Sequence, residues 1–260
     1  MLGRSRLRDE WARARQTELS MTERVFLGML TPSSNTILEP VTTAMIAGLP
    51  EVTAHFSRFK VTEIALSGPA LAQFDDAEIL AAAELLADAE VNVIAWNGTS
   101  SGWLGFDRDV RLCERITGAT GIPACTAMVA LNEVLESTGA RNIGFVTPYL
   151  DDVQARINAN YERAGFRVVA ERHLGMRDNF SFSTVTADQM RQMTADVSAA
   201  RPDAIAIVCT NMRGAPLAEE LEAAHGIPIY DTVSTTVWKS LKIAGIDTKR
   251  VKGWGTIFSK

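Results

Sequence analysis

The chain carries one short plan twice, and this duplication restricts its fold more than any other feature. Val93-Ile94-Ala95-Trp96-Asn97-Gly98-Thr99-Ser100 and Ala204-Ile205-Ala206-Ile207-Val208-Cys209-Thr210-Asn211 are both apolar runs that turn polar at their ends. At an offset of 111 residues, Gly98 falls opposite Cys209 and Thr99 opposite Thr210. Leu30-Thr31-Pro32 returns as Val146-Thr147-Pro148 at an offset of 116, and Gly121-Ile122-Pro123 as Gly226-Ile227-Pro228 at 105. Short apolar runs between turn residues read as buried parallel strands, and open α/β sheets place their ligands just past such strand ends.

The expected architecture is therefore α/β. Two similar Rossmann-like halves, each a parallel sheet flanked by helices, are related by a pseudo-two-fold axis, with the active site between them. Strands are expected over 25–30, 52–59, 91–96 and 123–126, and again over 142–146, 166–171, 203–208 and 227–230. Helices are expected from near 37, then over 76–89, 106–117, 127–137, 151–164, 187–200, 215–224 and 234–244. Residues 60–74 read as irregular, with a turn at Gly68-Pro69, and 172–184 as a flap over the cleft. Residues 1–20 read as a polar extension ahead of a start at Met21. The halves run over 21–125 and 126–232, and a C-terminal helix and tail over 233–260 pack back on the first half.

Composition narrows the function classes. A net charge of −5 and the lack of a basic patch with interleaved aromatics argue against nucleic acid. No apolar run approaches the ~20 residues that span a bilayer, so no membrane partner is expected. Three cysteines, at 113, 125 and 209, form no CxxC pair, and histidines 55, 173 and 225 are scattered. That pattern fits a reducing, cytoplasmic setting without a disulfide framework or a metal site. A homo-oligomer is compatible with everything in the sequence.

The chain has no GxGxxG after its first strand, no GxxxxGK[ST] and no GxSxG elbow. No histidine falls in the four strand-end loops. Those loops hold hydroxyls, amides and one thiol: Thr31, Ser33, Ser34, Asn35, Thr99, Ser100, Ser101, Thr147, Tyr149, Cys209, Thr210 and Asn211. Neutral donors of this kind can hold a carboxylate, or the enediolate made from one, without a metal or cofactor. A cysteine beside them can pass a proton to or from carbon, given a pKa lowered toward neutrality by nearby N–H groups. Cys113, in a helix, and Cys125, in a short strand, read as core. Trp103 and Phe106 read equally as an apolar wall of the site or as packing under the sheet.

Over residues 25–245 the sequence resembles the aspartate/glutamate racemase superfamily, and within it the branch of arylmalonate decarboxylases and maleate cis–trans isomerases. The resemblance rests on Thr31-Pro32-Ser33-Ser34-Asn35, Gly98-Thr99-Ser100, Thr147-Pro148-Tyr149-Leu150-Asp151-Asp152 and Cys209. Racemases and isomerases of the superfamily carry one cysteine per half. The decarboxylases keep only the second and have glycine at the first, as Gly98 and Cys209 do here. The resemblance implies that Thr99, Ser100 and Tyr149 hold the carboxylate that becomes an enediolate, and that Cys209 protonates it. It also implies substrate contacts from Pro32, Ser33, Asn35, Gly98 and Thr210. The Pro32–Asn35 stretch is isomerase-like, and Thr210 stands where decarboxylases tend to have glycine.

The expected activity is cofactor-free decarboxylation of a malonate-type small dicarboxylic acid, with Cys209 as sole proton donor. The alternative is isomerisation of maleate, or a related racemisation, and a non-catalytic small-acid binding protein ranks third.

Overall fold

The computed structural model describes residues 24–68, 70 and 76–260. The expected extension over 1–20, the start at Met21, Pro69 of the expected turn and positions 71–74 of the irregular segment lie outside the described residues.

Among the described residues eight strands form two parallel four-stranded sheets of identical order. The first sheet contains β1 (Val25–Pro32), β2 (Val52–Phe59), β3 (Val93–Trp96) and β4 (Ala124–Thr126), in the order β2-β1-β3-β4. The second contains β5 (Asn142–Thr147), β6 (Arg167–His173), β7 (Ala204–Ile207) and β8 (Ile229–Asp231), in the order β6-β5-β7-β8. The duplication in the sequence is thus a duplication of topology. Every residue of β3 and of β7 is buried, as continuous apolar runs require when helices cover both faces of a sheet.

The helices among the described residues are α1 (Leu38–Ile46), α2 (Asp76–Ala87), α3 (Ser101–Leu104), α4 (Asp107–Thr120), α5 (Ala127–Ser137), α6 (Asp151–Arg163), α7 (Ala187–Ser198), α8 (Ala218–His225) and α9 (Thr232–Ile243). Helix α9 packs on α5 and also on β3 and β4 of the first sheet. Helix α4 ends where Gly121 takes φ 72°, a left-handed conformation open to glycine. The expected helix start at 234 moves to Thr232, because the Asp231 carboxylate caps it by accepting from the N–H groups of Val233 and Ser234.

A further repeated pair shows why the halves match. Gly28 and Gly144 lie 116 residues apart in the middle of β1 and β5. A Cβ on Gly28 would sit 2.9 Å from Val91 Cγ2, and one on Gly144 would collide with Val197 Cγ1. Both central strands therefore need glycine where the chain on one face comes close.

The segment expected as a flap over 172–184 starts inside β6, which runs to His173, and ends in a 3-10 turn at Ser181–Thr184. Beyond β6 the chain crosses to the other half: the Ile64 N–H donates to Arg177 O (2.9 Å), and the Asn179 N–H donates to Thr62 O (3.0 Å). Glu63 and Asp178 form an antiparallel bridge between these segments. At its base the flap is tied to the loop after β5, with the Gly175 N–H on Tyr149 O (3.0 Å) and the Met176 N–H on Pro148 O (2.8 Å).

Candidate active site

The loops after β1, β3, β5 and β7 converge where the two halves meet, and their polar side chains are almost all withdrawn from solvent. Cys209 is 3% exposed, Thr99 7%, Ser100 6%, Tyr149 1% and Thr210 5%. Cys209 follows β7 by two residues, and the turn after it points the N–H groups of Asn211 and Met212 at the sulfur. The Tyr149 hydroxyl, from the loop after β5, also hydrogen-bonds the sulfur. Its second partner is Thr99 Oγ1 at 2.7 Å, from the loop after β3. One phenol thus joins the thiol of the second half to a threonine of the first.

Aromatic packing fixes that phenol. The Trp103 ring stands edge-on to Tyr149 at 5.2 Å and the Phe182 ring at 5.7 Å, one from α3 and the other from the flap. Trp103 therefore braces Tyr149, whereas Phe106 packs on Tyr161 (5.0 Å). The short α3 takes the place of the loop expected through Gly102, and Ser100 lies at its N-terminus.

Burial pushes the Cys209 thiol up to about 12, against the opposing pull of the Asn211 and Met212 N–H groups and the Tyr149 hydroxyl; Asp231 adds to the rise. A lowered value is the condition the sequence sets for proton transfer. The N–H groups are in place, but desolvation in a closed cleft outweighs them. Cys209 is consequently a protonated thiol at neutral pH, an acid rather than a resting thiolate. Burial likewise holds the Tyr149 hydroxyl well above its ordinary value, with the nearby thiol adding to the effect. Cys113 and Cys125 are also raised by burial, to about 12 and about 11, and Cys125 lies against Ser240 Oγ (3.7 Å), away from this cluster.

The remaining expected contact residues form a second corner. Asn35 Oδ1 caps α1, accepting from the N–H groups of Ile37 and Leu38 at 2.9 Å each. Asn35 Nδ2 donates to Thr210 Oγ1 (3.1 Å), and Thr210 Oγ1 donates to Asn97 O (2.9 Å). The Asn35 acceptor and the Thr210 donor are thus engaged within the protein. Pro32 is buried at the end of β1, and half-buried Ser33 donates to Val61 O (3.3 Å), beneath the clasped segment. Asn211 continues the brace, accepting from the Thr36 N–H (3.0 Å) and donating to Asn179 O of the flap (2.6 Å).

Three neighbours were not singled out in the sequence. Asp231, fully buried at the end of β8, is pushed up to about 7 by burial, against the N–H groups of Val233, Ser234 and Ala215. Asn97 donates to Leu30 O (3.2 Å) and Ala95 O (3.1 Å), which locks the end of β3. Trp96 lies over Gly98: a Cβ on Gly98 would fall within the indole, 2.7 Å from its Nε1. The signal for Trp96 was the two-residue alternation of a strand, which places positions 96 and 98 on the same face. A cavity of about 640 Å³ lined by Ser183–Ala187, Arg213, Pro216 and Leu217 includes none of the thiol's partners. Among the described residues no group of His, Cys, Asp and Glu could hold a metal ion, and no helix is long and apolar enough to cross a membrane.

The sequence matches a family model described as arylmalonate decarboxylase over residues 35–258. A maleate isomerase of Pseudomonas putida is 27% identical over 253 residues, covering 92% of this chain and 99% of its own. An arylmalonate decarboxylase of Bordetella bronchiseptica is 25% identical over 171 residues, 65% of this chain and 71% of its own. Among solved structures, a Nocardia farcinica maleate cis–trans isomerase with a covalently bound succinylcysteine intermediate superposes with a TM-score of 0.83. It is 22% identical and covers 90% of this chain and 98% of its own.

Proposed function

The chain belongs to the arylmalonate decarboxylase family, and from that premise we propose that it is a cofactor-independent decarboxylase of a malonate-type dicarboxylic acid. Its relatives are enzymes, named as maleate isomerases and an arylmalonate decarboxylase. The observation that carries the reading is the asymmetry of the two strand ends. A single protonated thiol stands on one side, and on the other Gly98 offers no side chain at all.

The chemistry follows from these groups. Thr99, Ser100 and Tyr149 hold one carboxylate of the substrate through neutral hydrogen bonds, the Thr99 and Tyr149 hydroxyls rotating to it from their contact with each other. The bond from the central carbon to the other carboxylate breaks and CO₂ leaves. The electron pair passes into the retained carboxylate as an enediolate, whose growing oxyanion charge the same hydroxyls stabilise in a dry cleft. The Cys209 S–H bond then breaks, its proton going to the central carbon and its electron pair to sulfur. Water afterwards returns a proton to the thiolate. The raised value keeps the thiol protonated at neutral pH, and it is still far more acidic than the carbon it protonates.

A second reading, cis–trans isomerisation of a maleate-like diacid, is favoured by the Pro32–Asn35 loop and by the isomerase relatives. A covalent succinylcysteine, as in the Nocardia farcinica enzyme, requires a thiolate that adds to the alkene. Here Gly98 supplies none, and burial keeps Cys209 protonated.

The test is product analysis with a panel of mono- and disubstituted malonates and with maleate. CO₂ release from a malonate, lost in Cys209→Ser, supports decarboxylation. Fumarate formed from maleate, with every malonate untouched, overturns it in favour of isomerisation.

A further inference from the structure

We infer that Trp96 is a substrate-positioning residue: its indole N–H donates to a carboxylate oxygen of the bound diacid, and its ring closes the first-half side of the site. The inference deepens the reading of a small-dicarboxylate enzyme and rests on it.

Two independent observations carry it. Trp96 is 1% exposed, and its Nε1 has no hydrogen-bond partner among the described residues. A buried indole N–H without an acceptor is costly, and such groups are ordinarily paired when the protein is at work. The position of that N–H is the second observation. It lies 2.7 Å from where a Cβ of Gly98 would be, so it stands at the strand end that the repeat pairs with Cys209. Phe59 backs the ring at 4.5 Å between centroids, which holds the N–H edge over Gly98. Gly98 is flanked by Asn97, whose carbonyl accepts from Thr210, and by Thr99, which bonds Tyr149. The free indole N–H therefore borders the same cluster of neutral donors. A carboxylate has four lone-pair sites, and Thr99, Ser100 and Tyr149 leave room for a further donor.

The ring has a second consequence. It occupies the volume that any side chain at position 98 needs, so a thiol on the first-half side requires the indole to shift. Proton delivery is confined to Cys209 by two residues, Gly98 and Trp96, rather than by one.

The test uses the full chain with malonate and maleate as probes. The indole N–H resonance of Trp96, assigned by its loss in Trp96→Phe, is followed by ¹⁵N-edited NMR during titration of Cys209→Ala, in which turnover is expected to be lost. A downfield shift on binding, with about 10-fold or greater weakening of diacid affinity in Trp96→Phe, supports the hydrogen bond. A stationary resonance with unchanged affinity in Trp96→Phe overturns it while leaving the proposed function intact. Failure of the unmodified chain to bind or convert any diacid overturns both. The steric half is read separately by thermal melting. Gly98→Cys alone is expected to lower the midpoint, and adding Trp96→Leu to recover most of the loss. A Gly98→Cys chain as stable as the parent overturns that half.

Discussion

The two strand tips that the repeat makes equivalent differ in almost every chemical respect. At the tip of β7, Cys209 carries a thiol that takes hydrogen bonds from two backbone N–H groups and from Tyr149. At the tip of β3, Gly98 carries nothing, and Trp96 covers it. The threonines that follow diverge in the same way. Thr99 reaches across to Tyr149 of the second half, and Thr210 reaches across to Asn35 and Asn97 of the first. Each threonine makes the same crossing, but one arrives at a hydroxyl next to a thiol and the other at a helix cap. Duplication preserved the backbone and the crossing. One corner is a brace between the halves, and the other carries the thiol.

The sharpest way to break this comparison is to remove the thiol. Cys209→Ser keeps a small buried side chain but replaces the acid with a hydroxyl that gives up its proton far less readily. Malonate decarboxylation is expected to fall by about 10²–10⁴-fold, with the melting temperature nearly unchanged. Steady-state CO₂ release together with circular dichroism checks both. A loss below 10-fold (a threshold about tenfold under the smallest effect expected of a general acid) would make the two tips chemically equivalent after all.

The next test concerns the residues that end the outer strands beside each tip. Thr126 of β4 pairs in register with Trp96, and Asp231 of β8 with Ile207. Both cap the helix that follows, Thr126 by accepting from the Val129 N–H and Asp231 by accepting from Val233 and Ser234. Only the thiol's half places a carboxylate there. Its folded pKa of about 7 lies above the ordinary 3.8, so the charged form is penalised in the fold. That penalty is absent below the ordinary value, grows between the two, and is complete above pH 7. Asp231→Asn retains the cap acceptor and removes the charge. It is expected to gain stability over the parent as pH rises, by on the order of 4 kcal/mol at most, and to match it in acid. Urea unfolding across the pH range reads this directly. The same change withdraws a negative charge that raises Cys209, so the thiolate, followed by its ultraviolet absorbance, is expected at lower pH than in the parent.

How much of this was legible beforehand follows from what each feature depends on. Strand and helix positions depend on local periodicity, and expected and observed limits differ mostly at element ends: the strand expected from 91 begins at Val93, and the one from 203 at Ala204. The equivalence of Gly98 and Cys209 depends on the repeat, which the sequence displays openly. The bond between Asn35 and Thr210 links residues 175 positions apart and has no local signal. The direction of the Cys209 shift was not legible for a related reason. The N–H groups that lower it are neighbours in sequence, whereas the burial that raises it is a property of the folded cleft. Trp96 was visible as a strand residue on the face of Gly98, but nothing in the sequence fixed the side-chain torsions that turn its ring back over the glycine.

A finer test sets the two threonines against each other. Thr210→Val deprives Asn97 O and Asn35 Nδ2 of a partner in a buried setting, at a cost of about 1–3 kcal/mol. Thr99→Val leaves Tyr149 still bonded to Cys209 and removes one donor beside the proposed carboxylate. The brace variant is expected to lose stability with kcat/KM little changed. The site variant is expected to lose about 10-fold or more in kcat/KM with a smaller loss of stability. Urea midpoints and steady-state kinetics on both variants decide the matter, and the reverse pattern would exchange the roles of the two corners.

The smallest expected difference lies at the base of the same loops. In register, Thr31 of β1 faces Arg58 of β2, and Thr147 of β5 faces His173 of β6. Arg58 clamps the first loop by donating to Ser33 O (2.8 Å), Asn35 O (3.1 Å) and Glu39 Oε1 (3.0 Å). His173 clamps the second between Glu171 Oε2 (2.8 Å) and Asp151 Oδ1 (2.9 Å). The guanidinium keeps its charge at every accessible pH, and the imidazole does not. Burial pulls the His173 pKa down, but the hydrogen bonds and charges of Glu171 and Asp151 outweigh it, and the net shift is upward. The clamp is therefore complete below the ordinary histidine value and is lost as pH rises through the raised one. Because the imidazole and its partners are partly solvated, the contribution is below about 1 kcal/mol. His173→Gln should accordingly melt about 2 °C below the parent near pH 5.5 and converge on it as pH rises past the raised value, whereas Arg58→Gln should melt below the parent throughout. A pH-independent deficit in His173→Gln would mean that packing, rather than charge, holds the second loop, and the two clamps would then differ in residue type but not in kind.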